Sequence, residues 1–264
     1  MLPTLAGQLP LTEPMDQEQI ERIDAASLDI LEEVGVVFRD DIALEDWRKA
    51  GADVRGERVH LDRGLVKSLI KTIPSEITLH ARNPEKTVAL GGRQSIFIPM
   101  TGAPYLRDLE DVRRSPTLDD LATFHKLAHM LPAMHSSAHH IVEPMDHPIS
   151  HRHLRITHSS MLYSDKTFMG MTTSGRNAED VLDMCAILFG EEYLETHAVV
   201  TGNCNGNSPL VWDETMLSAM RAFNRRNQPV LCSPFVLGGA NTPASTVPTV
   251  AQLNAEALSA LAYT

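Results

Sequence analysis

The sequence predicts an α/β protein built on a (β/α)8 barrel of the TIM type, of which about four βα units are present. Extended apolar runs begin near residues 134, 167, 198 and 229, and a helical pattern follows each of them. Their spacing of about 31 residues equals one eighth of a barrel of roughly 250 residues. Strands that alternate with helices also indicate a parallel sheet. A doubly wound open sheet has a similar repeat and stays the alternative, although no GxGxxG or GxxxxGK[ST] motif follows any of the runs.

A small α+β region, residues 1–116, is expected to precede the barrel half, residues 117–264. Apolar residues at helical spacing predict helices over 20–34, 42–50 and 63–71. The period then changes to two, which predicts short antiparallel strands near 77–81, 88–90 and 96–98. Residues 101–116 form a candidate linker. The next helix is predicted to start at Thr117, because Thr117-Leu-Asp-Asp120 resembles a capping box.

The barrel helices are predicted from their caps and apolar faces. They are expected to open at Asp146–Pro148, at Asn177, at Asp213 and before Val250. A half barrel would expose two strand edges, which natural proteins usually cover. We therefore expect that further sequence or a partner chain supplies the other half, that the chain forms a homo-oligomer, and that 264 residues alone are not competent.

The composition is that of an ordinary globular protein with an acidic surplus. The 264 residues are 43% apolar and 22% charged, with a formal net charge of −11. These values exclude global disorder and collagen, and the surplus of acids argues against a nucleic-acid binder. Three cysteines without a CxxC argue against a disulfide framework or a structural zinc site. Since neither a signal peptide nor a membrane-spanning run is recognised, we expect a cytoplasmic protein that binds no membrane.

Candidate binding residues follow the predicted strands, where barrel active sites lie. His140 lies near the C-terminal end of the first run, and Thr172 lies near the end of the second. The loop after the third run carries the neutral polar residues Asn203, Asn205 and Ser208. Such side chains either hold a polar ligand or close an Asx turn before the following proline. We expect these five residues to bind the substrate.

Histidines are enriched between residues 135 and 158, which raises the question of a metal site. A metal ion needs three or four converging ligands. Adjacent His139 and His140 point to opposite faces of a strand, and His151 and His153 face apart on a helix. We therefore expect no metal site and interpret these histidines as surface or hydrogen-bonded side chains.

Ten short segments together resemble the trimethylamine methyltransferase family. They are LEEVGV (31–36), RNPEKTVALGG (82–92), GAPYLRDLE (102–110), VEPMDHP (142–148), SDKTFMG (164–170), ILFG (187–190), NSPL (207–210), QPVLCSPF (228–235), GGANTP (238–243) and NAEALSAL (254–261). Their order and spacing carry the resemblance from about Ile20 onward. One departure falls in the loop after the third run, where the family often has an Asn-Pro-x-Ser-Pro-Leu pattern. Gly206 replaces that first Pro, whereas Asn205, Ser208, Pro209 and Leu210 match.

The resemblance implies a corrinoid-dependent methyltransferase on a (β/α)8 barrel. Such an enzyme moves a methyl group from a tertiary or quaternary amine, such as trimethylamine or glycine betaine, to the Co(I) corrinoid of a partner protein. No tightly bound cofactor is expected in the chain itself. A quaternary ammonium is often bound by aromatic faces, and here the candidates would be Tyr105, Tyr163 and Phe168, or residues of the other half of the barrel.

Two other function classes stay open at this point. The chain could be a non-catalytic binding or scaffold remnant of the family. It could also be a metal-dependent barrel hydrolase that uses the histidines between 135 and 158.

Overall fold

The computed structural model describes residues 5–7 and 12–264. Its helices are α1 (Gln17–Asp29), α2 (Asp41–Lys49), α3 (Arg63–Ile70), α4 (Leu118–Met130), α5 (Ile149–Tyr163), α6 (Gly175–Phe189), α7 (Glu191–Thr196), α8 (Glu214–Arg225) and α9 (Thr246–Tyr263). Its strands are β1 (Leu5–Ala6), β2 (Val36–Arg39), β3 (Asp53–Arg55), β4 (Arg58–His60), β5 (Glu76–Leu79), β6 (Val88–Gly91), β7 (Gln94–Ser95), β8 (Leu106–Arg107), β9 (Arg113–Arg114), β10 (Phe168–Met169), β11 (Val200–Gly206), β12 (Val211–Asp213) and β13 (Val230–Pro234). A π-helical turn, Ile30–Val34, extends α1.

The chain divides into two compact units. Of the described residues, the first unit contains 5–7, 75–202 and 222–229, and the second contains 12–74, 203–221 and 230–264. Each unit therefore draws on both of the regions into which the sequence was divided at residue 116.

The first unit combines short antiparallel pairs with helices α4 to α7. Strand β5 pairs with β6, β8 with β9, and β1 with β7, all antiparallel. The apolar faces of the helices bury Leu121, Ile156, Val181, Leu182 and Leu194, each at 1% exposure or less. Their burial removes large aliphatic side chains from water, which is the main favourable contribution to folding.

The second unit packs helices against a four-stranded sheet with the order β12, β2, β4, β3. Strand β12 runs parallel to β2, whereas β4 is antiparallel to both β2 and β3. Phe38 and Trp47 meet edge to face with ring centroids 5.4 Å apart, and both are at most 2% exposed. The indole nitrogen of Trp212 donates to Ser259 Oγ of α9 at 3.2 Å. The core of this unit is thus built around aromatic side chains, and the indole N–H of Trp212 has a hydrogen-bond partner.

The expected parallel sheet is present in part. Within the first unit, Ser136 pairs with Thr167 in a parallel bridge, and strand β10 pairs with β11 in parallel register through Phe168↔Val200 and Met169↔Thr201. The mixed α/β class is therefore confirmed. None of the sheets formed by residues 5–7 and 12–264 closes into a barrel, so the barrel prediction is not confirmed.

Three local predictions differ from the structure for identifiable reasons. Residues 96–98 are not a strand, because the backbone of Phe97 bonds to His135 instead. Phe97 N donates to His135 Nδ1 at 2.9 Å, and His135 N donates to the Phe97 carbonyl at 2.8 Å. The run 134–142 forms only isolated bridges at Ser136 and Val142. Helix α6 is capped by Ser174, whose side chain accepts from the amide of Asn177, so Asn177 lies inside the helix.

None of the helices described here combines the length with the apolar character that crossing a lipid bilayer requires.

Candidate functional site

The C-terminal ends of the parallel segments in the first unit lie at one edge. The backbone amide of Gly170 donates to the Thr201 carbonyl at 2.9 Å, which continues the β10–β11 pairing toward that edge. His139 and His140 follow Ser136 in the chain, and Thr172 follows β10. Because ligands of parallel α/β folds bind outside the carboxyl ends of the strands, this edge is the first place to look for a site.

Three charged or titratable side chains meet beyond the first parallel segment. His140 Nε2 lies 3.9 Å from Glu143 Oε2, and Arg152 donates to Glu143 Oε1 at 2.8 Å. The Arg152 Nε and Nη2 atoms also donate to the His147 carbonyl, at 3.2 and 2.8 Å. Their side chains are partly buried, with 20% of His140, 25% of Glu143 and 14% of Arg152 exposed. We call these three residues the His140 cluster.

Backbone hydrogen bonds from a distant segment hold the His140 cluster in place. Gly102 N donates to the His140 carbonyl at 2.7 Å, and Glu143 N donates to the Ala103 carbonyl at 2.9 Å. Gly102 has a φ of +81°, which favours glycine, and a Cβ atom there would lie 3.5 Å from His140 Nε2. Two of the segments that carry the family resemblance, 102–110 and 142–148, therefore meet at this cluster.

Burial keeps the adjacent histidines neutral. The rings of His139 and His140 lie 4.0 Å apart, and His139 is only 5% exposed. Burial lowers the pKa of His140, although the nearby Glu143 carboxylate opposes this, and burial holds the pKa of His139 well below its usual range. The Nδ1 atoms of both rings are buried and have no hydrogen-bond partner among the residues that the structure describes. The edge thus presents neutral imidazoles beside one ion pair.

Thr172 lies in the same unit and is 8% exposed. A Cβ atom at Gly202 would come within 3.3 Å of the Thr172 Cγ2 atom, so the threonine methyl group packs close to the bare backbone of β11. Glycine at this position permits that approach.

The other three predicted site residues belong to the second unit. Asn203 and Asn205 lie in strand β11 and not in the loop after it that the sequence predicted, because β11, which pairs with β13, continues as far as Gly206. Asn203 Oδ1 accepts from Ser233 Oγ at 3.1 Å, and Asn205 is exposed. Ser208 donates its hydroxyl proton to Glu256 Oε2 of α9, and Leu210 N donates to Glu256 Oε1 at 2.9 Å. The segment after β11 is therefore tied to helix α9 through Ser208 and Leu210, while Asn205 is exposed.

Glu256 is a buried residue of α9 that the sequence patterns did not predict as part of a site. Its side chain is 1% exposed and also accepts from Gln252 Nε2 at 2.8 Å. A buried carboxylate with several donors is a strong anchor for the backbone it binds. The sequence does contain a sign of this role. Glu256 is the one acidic residue in the apolar segment NAEALSAL, where a buried charge would need hydrogen-bond donors.

The aromatic candidates for an ammonium cage have other neighbours. The Arg113 guanidinium lies 3.9 Å from the centroid of the Tyr105 ring, and the Lys126 ammonium lies 4.5 Å from that of Tyr163. Phe168 is 4% exposed. In each tyrosine, one ring face is thus occupied by a cation of the chain itself.

Among residues 5–7 and 12–264, no group of three His, Cys, Asp or Glu side chains is placed to hold a metal ion. Burial raises the pKa of the Cys185 thiol, and it raises the pKa of Cys232 to about 12. Both thiols are therefore protonated at neutral pH and are poor nucleophiles or metal ligands.

The comparison with known proteins decides which family these features belong to. The family model for trimethylamine methyltransferase (MTTB) matches residues 1–264. A glycine betaine methyltransferase of Desulfitobacterium hafniense (strain Y51) is 40% identical over 257 residues, which cover 97% of this chain and 54% of that protein.

This chain belongs to the trimethylamine methyltransferase family. More distant members are the trimethylamine methyltransferase MttB of Desulfitobacterium hafniense (strain DSM 10664 / DCB-2), 25% identical over 92% of the chain, and a proline betaine:corrinoid methyltransferase of Eubacterium limosum, 26% identical over 93%. The chain spans about half the length of these curated relatives, since it covers 54%, 50% and 52% of their sequences. These matches favour neither the scaffold remnant nor the metal-dependent hydrolase.

Proposed function

We propose that the protein takes part in moving a methyl group from a tertiary or quaternary amine, such as trimethylamine or glycine betaine, to the Co(I) corrinoid of a partner protein. The observation that carries this proposal is the 40% identity to a glycine betaine methyltransferase over 97% of the chain. The proposed substrate-binding residues are His140, Thr172, Asn203, Asn205 and Ser208.

In this methyl transfer, the main role of the protein would be to bind and orient its substrate. The corrinoid would supply a nucleophilic cobalt centre, and the electron pair of the broken C–N bond would stay on the amine nitrogen. The residues of this chain would hold the amine, point one methyl group outward and exclude water. A neutral imidazole beside a partly buried ion pair, as in the His140 cluster, fits this role, because it adds no positive charge that would repel an ammonium.

The wider architecture is part of the same proposal. We infer a (β/α)8 barrel of which residues 117–264 form about half, preceded by an α+β region over residues 1–116. The parallel pairs at Ser136–Thr167 and Phe168–Val200 support this, since their spacing in the chain is that of successive barrel strands. A corrinoid protein as partner, a homo-oligomeric state and a cytoplasmic location complete the proposal, with the corrinoid bound to the partner and not tightly to this chain.

The test is a demethylation assay on the purified chain together with the further sequence or partner chain that supplies the other half of the barrel, because the 264 residues alone are not expected to be competent. Cob(I)alamin would serve as methyl acceptor, with glycine betaine, proline betaine or trimethylamine as donor. We expect the Co(I) absorbance to fall and the demethylated amine to accumulate, as followed by proton NMR, only when chain and donor are both present. Heat-denatured chain is the control. Equal rates with native and denatured chain for all three donors would contradict the proposal.

A further inference from the structure

Within the His140 cluster, the two oxygens of Glu143 have different surroundings. Oε1 accepts from Arg152 at 2.8 Å, whereas Oε2 lies 3.9 Å from His140 Nε2. A separation of 3.9 Å is too long for a hydrogen bond. One oxygen is therefore fixed by a guanidinium, and the other stays available at a partly buried position.

We propose that Glu143 is the counter-ion of the substrate's ammonium group and that Arg152 positions it. This inference rests on the proposed function, because it names a further residue of the same site.

A quaternary ammonium sets particular demands on its binding site. It carries a permanent charge but no N–H group, so it cannot make a hydrogen bond, and its removal from water must be offset by an opposing charge or by aromatic faces. Two aromatic candidates, Tyr105 and Tyr163, already face Arg113 and Lys126. Glu143 Oε2, for which the described part of the chain supplies no hydrogen-bond donor, meets the demand without any ring.

The position of Glu143 strengthens such a contact. Three quarters of its side chain is buried, and a charge pair is less screened there than on the surface. Arg152 donates through Nη1 to one carboxylate oxygen and through Nε and Nη2 to the His147 carbonyl. Three of its donors are thus used by groups other than Oε2. His140 is neutral at pH 7, because burial lowers its pKa, and it does not compete for the carboxylate as a cation.

The test compares a cation with its neutral isostere. Glycine betaine and 3,3-dimethylbutyrate have the same shape and the same carboxylate, but only the first carries a quaternary nitrogen. Binding of each is measured by isothermal titration to the 264-residue chain and to the variant Glu143→Gln. We expect Glu143→Gln to weaken glycine betaine by about tenfold or more and to leave 3,3-dimethylbutyrate unchanged. The matched control is Glu179→Gln, which removes the same charge at an exposed position of α6 and should change neither ligand.

The role of Arg152 has its own readout. Arg152→Met should weaken glycine betaine binding, whereas Arg152→Lys, which keeps a donor for Oε1, should recover most of it. A purely structural role would weaken both ligands together. Thermal unfolding midpoints are measured for every variant. If Glu143→Gln does not fold, Glu143→Asp takes its place: it keeps the charge but withdraws the carboxylate by one methylene, so it should weaken glycine betaine and leave 3,3-dimethylbutyrate unchanged.

Two outcomes would overturn the inference. One is that Glu143→Gln binds glycine betaine as tightly as the wild type, or weakens both ligands equally. The other is that the wild-type chain does not prefer glycine betaine over its isostere. The demethylation assay distinguishes failure of this inference from failure of the proposed function. Betaine binding that depends on Glu143 without any demethylation would contradict only the function, and demethylation with unchanged Glu143→Gln binding would contradict only the inference.

Discussion

The buried ammonium group of Lys166 donates hydrogen bonds to three backbone carbonyls. It donates to the carbonyls of Ala128, Leu131 and Met134 at 2.7, 2.8 and 2.7 Å, and the residue is 3% exposed. Two of these carbonyls lie at the C-terminal end of α4, where a helix leaves its last acceptors unsatisfied and carries partial negative charge. The lysine therefore caps this helix and joins it to the segment that leads to Ser136.

Replacing Lys166 with Met should destabilise the protein by about 2–4 kcal/mol, because three carbonyls lose their donor while the apolar stem is kept. Urea denaturation at neutral pH measures the change. The control is Lys126→Met, at an exposed position of α4, which should cost less than about 1 kcal/mol. Equal losses in the two variants would show that the buried hydrogen bonds do not carry this stability.

Gly170 illustrates how little space a residue beside the parallel strands has. A Cβ atom there would lie 2.8 Å from Val181 Cγ1 and 2.9 Å from Phe223 Cζ. Gly170→Ala should therefore cost about 1–3 kcal/mol through overpacking. Gly238→Ala is the matched control, because no atom lies within 4 Å of its added methyl group. Thermal unfolding of both variants tests the difference, and a Gly170→Ala protein as stable as Gly238→Ala would contradict it.

At the scale of elements, the start of α4 depends on a reciprocal cap. The Thr117 side chain accepts from Asp120 N, and the Asp120 side chain accepts from Thr117 N at 2.8 Å. The Arg114 guanidinium, together with these bonds, holds the pKa of Asp120 well below its usual range. Thr117→Ala should cost about 1 kcal/mol. Ser245→Ala at the start of α9 should cost less, because Ser245 makes no side-chain cap bond. Denaturant midpoints of the two variants compare them directly, and the reverse order would be incompatible with this assignment.

The same cap shows which elements a sequence can predict. The pattern Thr117-Leu-Asp-Asp120 predicts the start of α4, and apolar spacing predicts α2 and α3 to within about two residues. These signals are local. Strand β2 was not predicted. One of its two partners, β12 (residues 211–213), lies more than one hundred positions away in the chain. A pairing of that range leaves no periodicity by which a four-residue strand can be recognised.

At the scale of the whole molecule, buried neutral histidines make the fold sensitive to acid. Burial lowers the pKa of His125 to about 4 from 6.5, and burial also lowers the pKa values of His80, His139 and His140. The unfolded chain therefore binds a proton below pH 6.5 that the native His125 does not take until about pH 4. Stability is fully present above pH 6.5 and falls as the pH is lowered toward 4, with about 3 kcal/mol lost through His125 alone.

Urea denaturation at a series of pH values from 7.5 to about 4 tests this dependence. The variant His125→Gln should be less stable at pH 7.5, because the hydrogen bonds to Ser159 and to the His139 carbonyl are altered. It should also lose less stability on acidification than the wild type. His151→Gln, at an exposed position, should follow the wild-type curve. Parallel curves for His125→Gln and wild type would contradict the role of His125.

The candidate site could be predicted from sequence only at its strand ends. His140 and Thr172 were chosen because they follow extended runs, and the structure does place both after the parallel segments of the first unit. Glu143 and Arg152 were not chosen, because their contact joins a loop to a helix nine residues later. Glu256 was not chosen, because its partners Ser208 and Leu210 lie 48 and 46 positions away. Contacts of this kind depend on how the chain turns, which residue types alone do not specify.

The backbone bonds between residues 102–103 and 140–143 bear on how this family could change its substrates. Gly102 N, Glu143 N and the carbonyls that they bind are main-chain atoms, so almost any side chain at position 143 leaves them intact. The backbone frame and the proposed recognition group, the Glu143 carboxylate, are thereby separate. A single codon change at 143 could exchange the charge offered to a ligand while the surrounding frame persists. Directed evolution toward neutral or anionic methyl donors would accordingly begin with saturation of that position.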